Sequence, residues 1–561
     1  MKEIVRKYVL QNSLKFGKTD PSRIIGKVLG ENPSLRGKVE EVTAEIIRSA
    51  KEIDGLSEDQ KRKEIGRIAP AMLEKRKEEK KELPELRDVG PKVIMRFAPS
   101  PSGPMHLGHA YVLGLNSEYC RKYRAKLILR IEDTNASNID PIAYTQLPED
   151  AKWITKNNIS EVCIQSERME TYYDHALSML EKGFAYICTC SSEGFKKFSE
   201  KKQECPCRKN TPEKNIRLWK DMFKKFEEGD AVMRFKTDMK HNNPAMRDFP
   251  LMRINDDEHP RTGKKYRVWP LMNFAVTVDD HELGVTHTLR AKDHADNAKR
   301  QEFIQHAMGW NVPRSIFVGR INFLDLDLSC SATKERINKG EFSGWDDIRL
   351  PFLVALKRRG YQPEAFIRYA LDVGVTLTDK KVSKEDFFKA ISAFNKEVID
   401  PKAYRYFFVE DPVEITIEGA HEQDVELDLH PENKKGGRKF SAGKRFFVAK
   451  KDFDDFREGR LYRLMDCLNF RKEGKKLVFH SKDYERYRSE GAKIIHWLPA
   501  EDRKMLVKAE VLMDDGTTRE GLAEEALSKV EEGKVVQFER FGFCRMDKDL
   551  NTKMVFWWGH R

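Results

Sequence analysis

The spacing of apolar positions changes twice along the chain. Up to about residue 90 they recur at helical intervals, with Val39, Val42, Ile46 and Ile47 as the clearest stripe, and predict an amphipathic helical extension. The stretch EKRKEEKKELPELRDVG, interrupted by Pro84 and closed by Gly90, is a charge run of the kind that forms a solvated helix face or a linker, so a boundary is expected near 90. The period then shortens. KVIMRF (92–97) alternates as a strand, HLGHAYVLGLNSEYCRKYRA returns to helical period with Leu107, Ala110, Tyr111 and Gly114 on one face, and KLILRIE is again a strand. Such a strand, crossover helix and parallel strand place ligands at the carboxyl ends of the strands. From about residue 400, RYFFV, VEITIEG, KRFFVAK and KLVFH alternate with Gly, Asp and Asn turns and predict β-barrels.

Composition narrows the class. The 561 residues carry 103 Lys and Arg against 91 Asp and Glu, a net charge of +12, compatible with a polyanionic partner without requiring one. At 10% aromatic content the chain is no disordered polyelectrolyte, and its length suggests roughly three to five domains. No window approaches the roughly 18 consecutive apolar residues of a membrane span, and the first residues lack an apolar signal core, so a cytoplasmic protein without membrane contact is expected. Nine cysteines, four of them in one short stretch, suggest metal ligands and reduced thiols rather than disulfides.

The most informative stretch is RFAPSPSGPMHLGHA (96–110). Its prolines stiffen a turn that puts His106 and His109 three residues apart on the first turn of a helix, where partial positive charge attracts phosphate. Two imidazoles on one face can donate hydrogen bonds to an α-phosphate as charge develops, and Gly108 leaves room for a flat ring. An isolated His-x-x-His is more often structural; its setting after a strand and a Pro-rich turn reverses that preference.

This stretch resembles the His-x-Gly-His signature of class I aminoacyl-tRNA synthetases, and specifically of the glutamyl-tRNA synthetases. LRIEDTN (129–135), WPLMNFAVTVDDHELGVTHTLRAKDH (269–294) and GEFSGWDDIRLPFLVALKRRGYQPEAF (340–366) resemble the same family in order. With the β-rich tail the resemblance covers most of 91–561 and looks most like the archaeal-type members. It implies activation of L-glutamate by ATP with Mg²⁺ and transfer of the glutamyl group to the terminal adenosine of tRNA(Glu). Charging of tRNA(Gln) and the oligomeric state stay open. Carried over by position, it implies Arg96, Ala98, Ser100, Glu132, Met272 and Arg290 as substrate-binding, and His106, Gly108, His109 and Asp293 as ATP-binding. Planar guanidinium groups suit a substrate with two carboxylates, and rejecting the amide of glutamine follows because it would leave a cation unpaired.

Two departures stand out. The family generally has Tyr where Met272 stands. The mobile phosphate loop, DLDLSCSATKERI (325–337), keeps Ser329 and Ser331 but has Asp327 and Cys330 in place of the usual lysines, so Lys334 is nominated as the catalytic cation, with Arg336 as the weaker alternative. Seen alone, Ser-x-Ser before a lysine is a helix cap.

Cys188, Cys190, Cys205 and Cys207 form two C-x-C pairs fourteen residues apart, which favours a structural zinc over buried free thiols. RKFSAGKRFFVAK and HSKDYERYRSEGAKIIHW are candidate RNA-binding segments, balanced against an ordinary amphipathic β surface. The expected architecture is α/β and multidomain: a helical extension (1–90), a Rossmann-like catalytic domain in two halves (91–185 and 271–325), an acceptor-end insertion with a zinc knuckle (186–270), a phosphate loop and helical connector (326–400), and β-barrels that bind the anticodon (401–561). Glutaminyl-tRNA synthetase, a non-enzymatic RNA-binding descendant and a nucleotidyltransferase remain as alternatives.

Overall fold

The computed structural model describes residues 1–16, 19, 21–72, 82–501 and 503–561, which fall into two compact units, Met1–Lys81 and Glu82–Arg561. The first unit is four helices, α1 (Lys2–Phe16), α2 (Ser22–Glu31), α3 (Val39–Asp54) and α4 (Glu58–Ile68). Its core joins Val42, Ile46 and Ile53 of α3 to Val5 and Val9 of α1. Two members of the predicted stripe do not join it: Val39 is 42% exposed and Ile47 46%. Ile47 lies about 100° around the helix from Ile46, so a stripe that buries one turns the other to solvent. A reciprocal cap starts α4, with Ser57 Oγ accepting from the Gln60 N–H and Gln60 Oε1 from the Ser57 N–H.

The unit boundary falls before residue 90, after Lys81; residues 74–81 of the charge run lie outside the described residues. Residues beyond the break already belong to the second unit, because Leu86 is buried in its core and donates its N–H to the Tyr123 hydroxyl at 2.8 Å.

The second unit is built on a parallel sheet. Its strands are β1 (Ile94–Phe97), β2 (Lys126–Ile131) and β3 (Glu161–Ile164). Then an antiparallel excursion of β4 (Ala185–Cys188), β5 (Val232–Phe235), β6 (Pro250–Ile254) and β7 (Val268–Pro270) intervenes before β8 (His287–Ala291) and β9 (Arg314–Val318). The parallel order is β3-β2-β1-β8-β9, so the winding reverses between β1 and β8, and a crevice opens outside their carboxyl ends. Helices α5 (Leu107–Lys122), α6 (Ala143–Ile154), α7 (Met169–Glu181), α8 (Ser192–Glu200), α9 (Pro212–Met222), α10 (Met272–Glu282) and α11 (Ala295–Met308) follow in chain order; α8 and α9 belong to the excursion. α12 (Cys330–Asn338) lies in the expected phosphate loop, and α13 (Leu353–Arg358), α14 (Pro363–Val373) and α15 (Lys384–Ile399) form the connector.

Two seven-stranded sheets and a two-stranded ribbon, Gln423–His430 with Asn433–Ala442, make up the tail. RYFFV is not one strand. Tyr404–Tyr406 and Phe408–Glu410 sit at opposite edges of the same sheet, paired with Val535–Phe538 and Thr518–Ala523 respectively. Adjacent residues can occupy both edges only if the sheet curls round until those edges meet, and Phe407 at the break is tied by its N–H to Glu524. YERYRSE within the second RNA candidate is a short helix, Tyr484–Glu490, capped by Asp483, rather than part of a β surface. Among the described residues no helix is long and apolar enough to cross a membrane.

Asp150 on α6 anchors the loop before α5: Oδ2 accepts from the Met105 N–H at 3.0 Å and Oδ1 from Gln146 at 2.9 Å. Burial pushes its carboxyl up to about 7, against the lowering effect of these hydrogen bonds. A carboxyl raised in the folded state contributes stability that is present below its unfolded value near 4 and lost as the pH rises through about 7. Thermal melts of Asp150→Asn are expected to exceed wild type at pH 8 by more than at pH 5. An equal offset at both pH values would remove this account.

Candidate active site and cysteine cluster

β1 and β8 end at the crevice and each delivers an arginine there, Arg96 and Arg290, while Glu132 follows directly after β2. With Ala98, Ser100, Met272 and His109 they line one cavity of about 320 Å³. The six residues expected to bind the amino acid are therefore together. Met272 opens α10 and joins Val276, Val112 and Leu289 in an apolar wall; the aromatic rings on the cavity come from Phe97, His109 and His294.

The two arginines have different surroundings. Arg96 donates to Asp280 at 3.2 and 3.5 Å, and fully buried Arg130 on β2 donates to the same carboxylate at 2.6 Å and to Glu132 at 3.0 Å. Burial opposes charge on Asp280, but Arg96 and Arg130 outweigh it and hold the carboxyl below its ordinary range. Neighbouring Asp279 receives Gln165, Arg168 and Tyr172. Among the described residues Arg290 donates only to neutral acceptors, Gln301 at 3.0 Å and Ser315 at 3.2 Å, and its buried Nε has no partner. Burial, with Arg96 and Arg130 acting in the same sense and Asp280 and Glu132 opposing, pushes this guanidinium down to about 10. A half-buried cation that bonds directly to no carboxylate among the described residues favours an anion that enters the cavity.

The histidine pair caps α5 in an unusual way. His106 Nδ1 accepts from the Gly108 N–H at 3.1 Å, and His109 Nδ1 accepts from the His106 N–H at 3.3 Å, with the rings stacked 3.8 Å apart. The first-turn N–H groups expected to meet phosphate are thus partly used by the imidazoles. With both Nδ1 atoms accepting, each neutral ring carries its proton on Nε2. Burial lowers His106 to about 4 and His109 well below its ordinary value, so both are neutral donors near pH 7. The flat ring for which Gly108 makes room is that of His106, since a Cβ on Gly108 would lie 3.0 Å from its Cε1.

Of the expected ATP-binding and catalytic residues only His109 lines the cavity; His106, Gly108, Asp293, Ser329, Ser331 and Lys334 do not. Ser329 is the cap of α12, accepting from the Ala332 N–H at 3.2 Å, and Lys334 pairs with Asp140 at 3.2 Å. Cys330 still brings this segment against the Pro-rich loop, its Sγ 4.0 Å from the Pro104 carbonyl. Asp293 pairs with Arg320. The sequence reading missed Arg130, Asp279 and Asp280. Two adjacent acids inside an otherwise apolar helical run, FAVTVDD, were the available signal for buried counter-charges.

In the excursion, the Sγ atoms of Cys188, Cys190, Cys205 and Cys207 lie within 4.8 Å of one another, with 3.9 Å between Cys188 and Cys205 and 3.8 Å between Cys190 and Cys207. Four thiolates about 2.3 Å from a tetrahedral zinc stand about 3.8 Å apart. The cluster fits that ion. Hydrogen bonds from Cys188 and Tyr186 and the backbone N–H groups of Arg208 and Cys207 draw Cys205 down to about 5 against its burial.

Residues 92–401 match the family described as tRNA synthetases class I (E and Q), catalytic domain, and 403–484 and 494–547 match the corresponding anti-codon binding domains. The glutamate–tRNA ligase of Methanobrevibacter smithii is 41% identical over the whole of both chains. That of Methanocaldococcus jannaschii is 42% identical, again over the full length of each. With a parallel sheet that reverses at two arginine-bearing strands, an imidazole-capped helix beside the cavity and this end-to-end likeness, the chain belongs to the class I tRNA synthetases of the glutamate and glutamine group.

Proposed function

We propose that this enzyme is a glutamate–tRNA ligase that uses ATP to activate L-glutamate and passes the glutamyl group to the terminal adenosine of tRNA(Glu). One observation supports the choice of glutamate: Arg290 is a cation on the cavity that, among the described residues, bonds to no carboxylate. The side-chain carboxylate of glutamate supplies that partner, whereas the amide of glutamine leaves the guanidinium unpaired and confronts it with N–H groups. Asp280 balances Arg96 and Arg130, and Glu132, held by Arg130, remains to meet the substrate ammonium.

The α-carboxylate then attacks the α-phosphorus and pyrophosphate departs. Charge on the α-phosphate oxygens is met by the Nε2–H groups of His106 and His109, fixed as donors by the backbone bonds to their Nδ1 atoms. In the second step a ribose hydroxyl attacks the acyl carbon and AMP leaves. Mg²⁺ travels with ATP and offsets phosphate charge. Lys334 reaches pyrophosphate by leaving Asp140; Ser329 and Ser331 shape the loop that carries it. Asp293 acts through Arg320 and the same side of the ATP site. A zinc held by Cys188, Cys190, Cys205 and Cys207 supplies folding energy to the excursion that meets the acceptor end. The barrels meet the anticodon.

Charging of total tRNA with labelled glutamate and, separately, glutamine tests the assignment: glutamate is expected to be the amino acid accepted, and preference for glutamine defeats it. His109→Ala is expected to lower the rate by about two or more powers of ten through lost electrostatic stabilisation; near wild-type charging would remove the imidazole from the mechanism. Metal analysis is expected to find one zinc per chain, and Cys205→Ser to lower both zinc content and melting temperature. A zinc-free wild type with an unchanged melt would exclude the metal.

A further inference from the structure

Behind the cavity the polar side chains form a chain of hydrogen bonds whose direction is set from its ends. An arginine can only donate, and Arg290 gives one terminal N–H to Gln301 Oε1 at 3.0 Å. The Gln301 amide therefore turns its Nε2 to Asn273, whose Oδ1 accepts at 3.3 Å. Asn273 Nδ2 donates onward to Asn297 Oδ1 at 3.2 Å, and Arg300 donates to the same oxygen at 3.3 Å. With its oxygen occupied by two donors, Asn297 presents Nδ2 to His294 Nδ1 at 3.3 Å. Reversing any one amide would set donor against donor or oxygen against oxygen.

The chain thus ends on an imidazole whose Nδ1 must accept, and a neutral ring in that position holds its proton on Nε2. His294 lines the same cavity as Arg290, and among the described residues its Nε2 has no protein partner. Burial lowers its tendency to take a second proton, Arg290 and Arg96 act in the same sense, and Glu132 and Asp293 oppose them, with a net lowering.

We propose that His294 is a substrate-binding residue, donating its Nε2–H to the side-chain carboxylate that Arg290 binds, and that Gln301, Asn273 and Asn297 are positioning residues that hold it as a donor. The proposal rests on the reading of this cavity as the glutamate site. A carboxylate offers about four lone-pair positions, while Arg290 already commits one N–H of each terminal nitrogen to Gln301 and Ser315. A second donor is what the anion still lacks. Two donors and no acceptor also suit a carboxylate better than an amide, whose NH₂ group finds nothing to bond.

The test combines steady-state kinetics of glutamylation with ¹⁵N NMR of histidine-labelled enzyme. His294→Leu is expected to raise KM for glutamate about tenfold or more, the usual worth of one hydrogen bond to a charged group, and to leave KM for ATP within about twofold. His294→Gln, which keeps a side-chain N–H, is expected to recover most of the loss. Asn297→Asp is nearly isosteric but places an acceptor opposite Nδ1. The wild type is expected to show the Nε2–H tautomer and this variant to protonate Nδ1, with KM for glutamate raised. An unchanged KM for glutamate in His294→Leu, equal increases for glutamate and ATP, or an Nδ1–H tautomer in the wild type would overturn the proposal. Failure of the wild type to charge glutamate would instead overturn the reading of the cavity, and the wild-type tautomer would still report on the relay.

Discussion

The carboxylate of Asp280 decides the charge pattern of the whole site. It lies between Arg96 and Arg130 and is bonded to both, and buried Asp279 stands 3.7 Å from the Arg130 Nε. Arg130 in turn holds Glu132 at the edge of the cavity. Arg290, on the far side of the strand reversal, donates among the described residues to amide and hydroxyl oxygens alone. A buried salt bridge is weak evidence for stability, because desolvation consumes much of the Coulombic gain. Its value here is geometric. By engaging Arg96 and Arg130, Asp280 leaves Arg290 as the guanidinium on the cavity that bonds to no carboxylate among the described residues.

The same economy of donors and acceptors governs the imidazoles. His106 and His109 each accept a backbone N–H on Nδ1, and His294 accepts an amide N–H there, so three rings around one crevice have the same tautomer imposed by different neighbours. Their charge state is set by burial and their proton position by hydrogen bonding. For His106 and His109 burial keeps the neutral form well below neutral pH, and the bonded Nδ1 leaves the proton on Nε2. A free histidine would divide itself between two tautomers and lose part of its donor population.

Much of this was legible in the sequence where local rules dominate. The strand, Pro-rich turn and helix at 92–122 announced themselves by a change of period, and the C-x-C pairs by spacing, because each depends on residues close together in the chain. Residues 96, 132 and 290 were reachable only through resemblance, since the parallel sheet brings them together across long intervals. The relay from Arg290 to His294 was invisible for a related reason: Asn273, Asn297 and Gln301 are common polar residues, and their role lies in which atom faces which neighbour. RYFFV reads as one strand because five residues cannot disclose that the sheet they join curls until its two edges meet at Phe407.

The connector gives the site its other boundary. Phe352 bridges to His106, and the Leu353 N–H donates to the Met105 carbonyl at 2.8 Å, so α13 starts against the loop that presents the imidazoles. At its other end Arg358 grips Asp547 with two bonds of 2.7 Å and lies over Trp557, while Arg359 donates to the Trp558 and Gly559 carbonyls. Six helical residues rise only about 9 Å. The loop that carries His106 and the last strands of the barrel are therefore fixed to opposite ends of one short rod, by a backbone bond at one end and by partly buried Arg358 and buried Arg359 at the other. A flexible linker would leave the barrel free to move, whereas a short helix bonded at both ends acts as a strut. The bidentate arginine and the backbone bonds at the two ends of α13 build the second kind of connection.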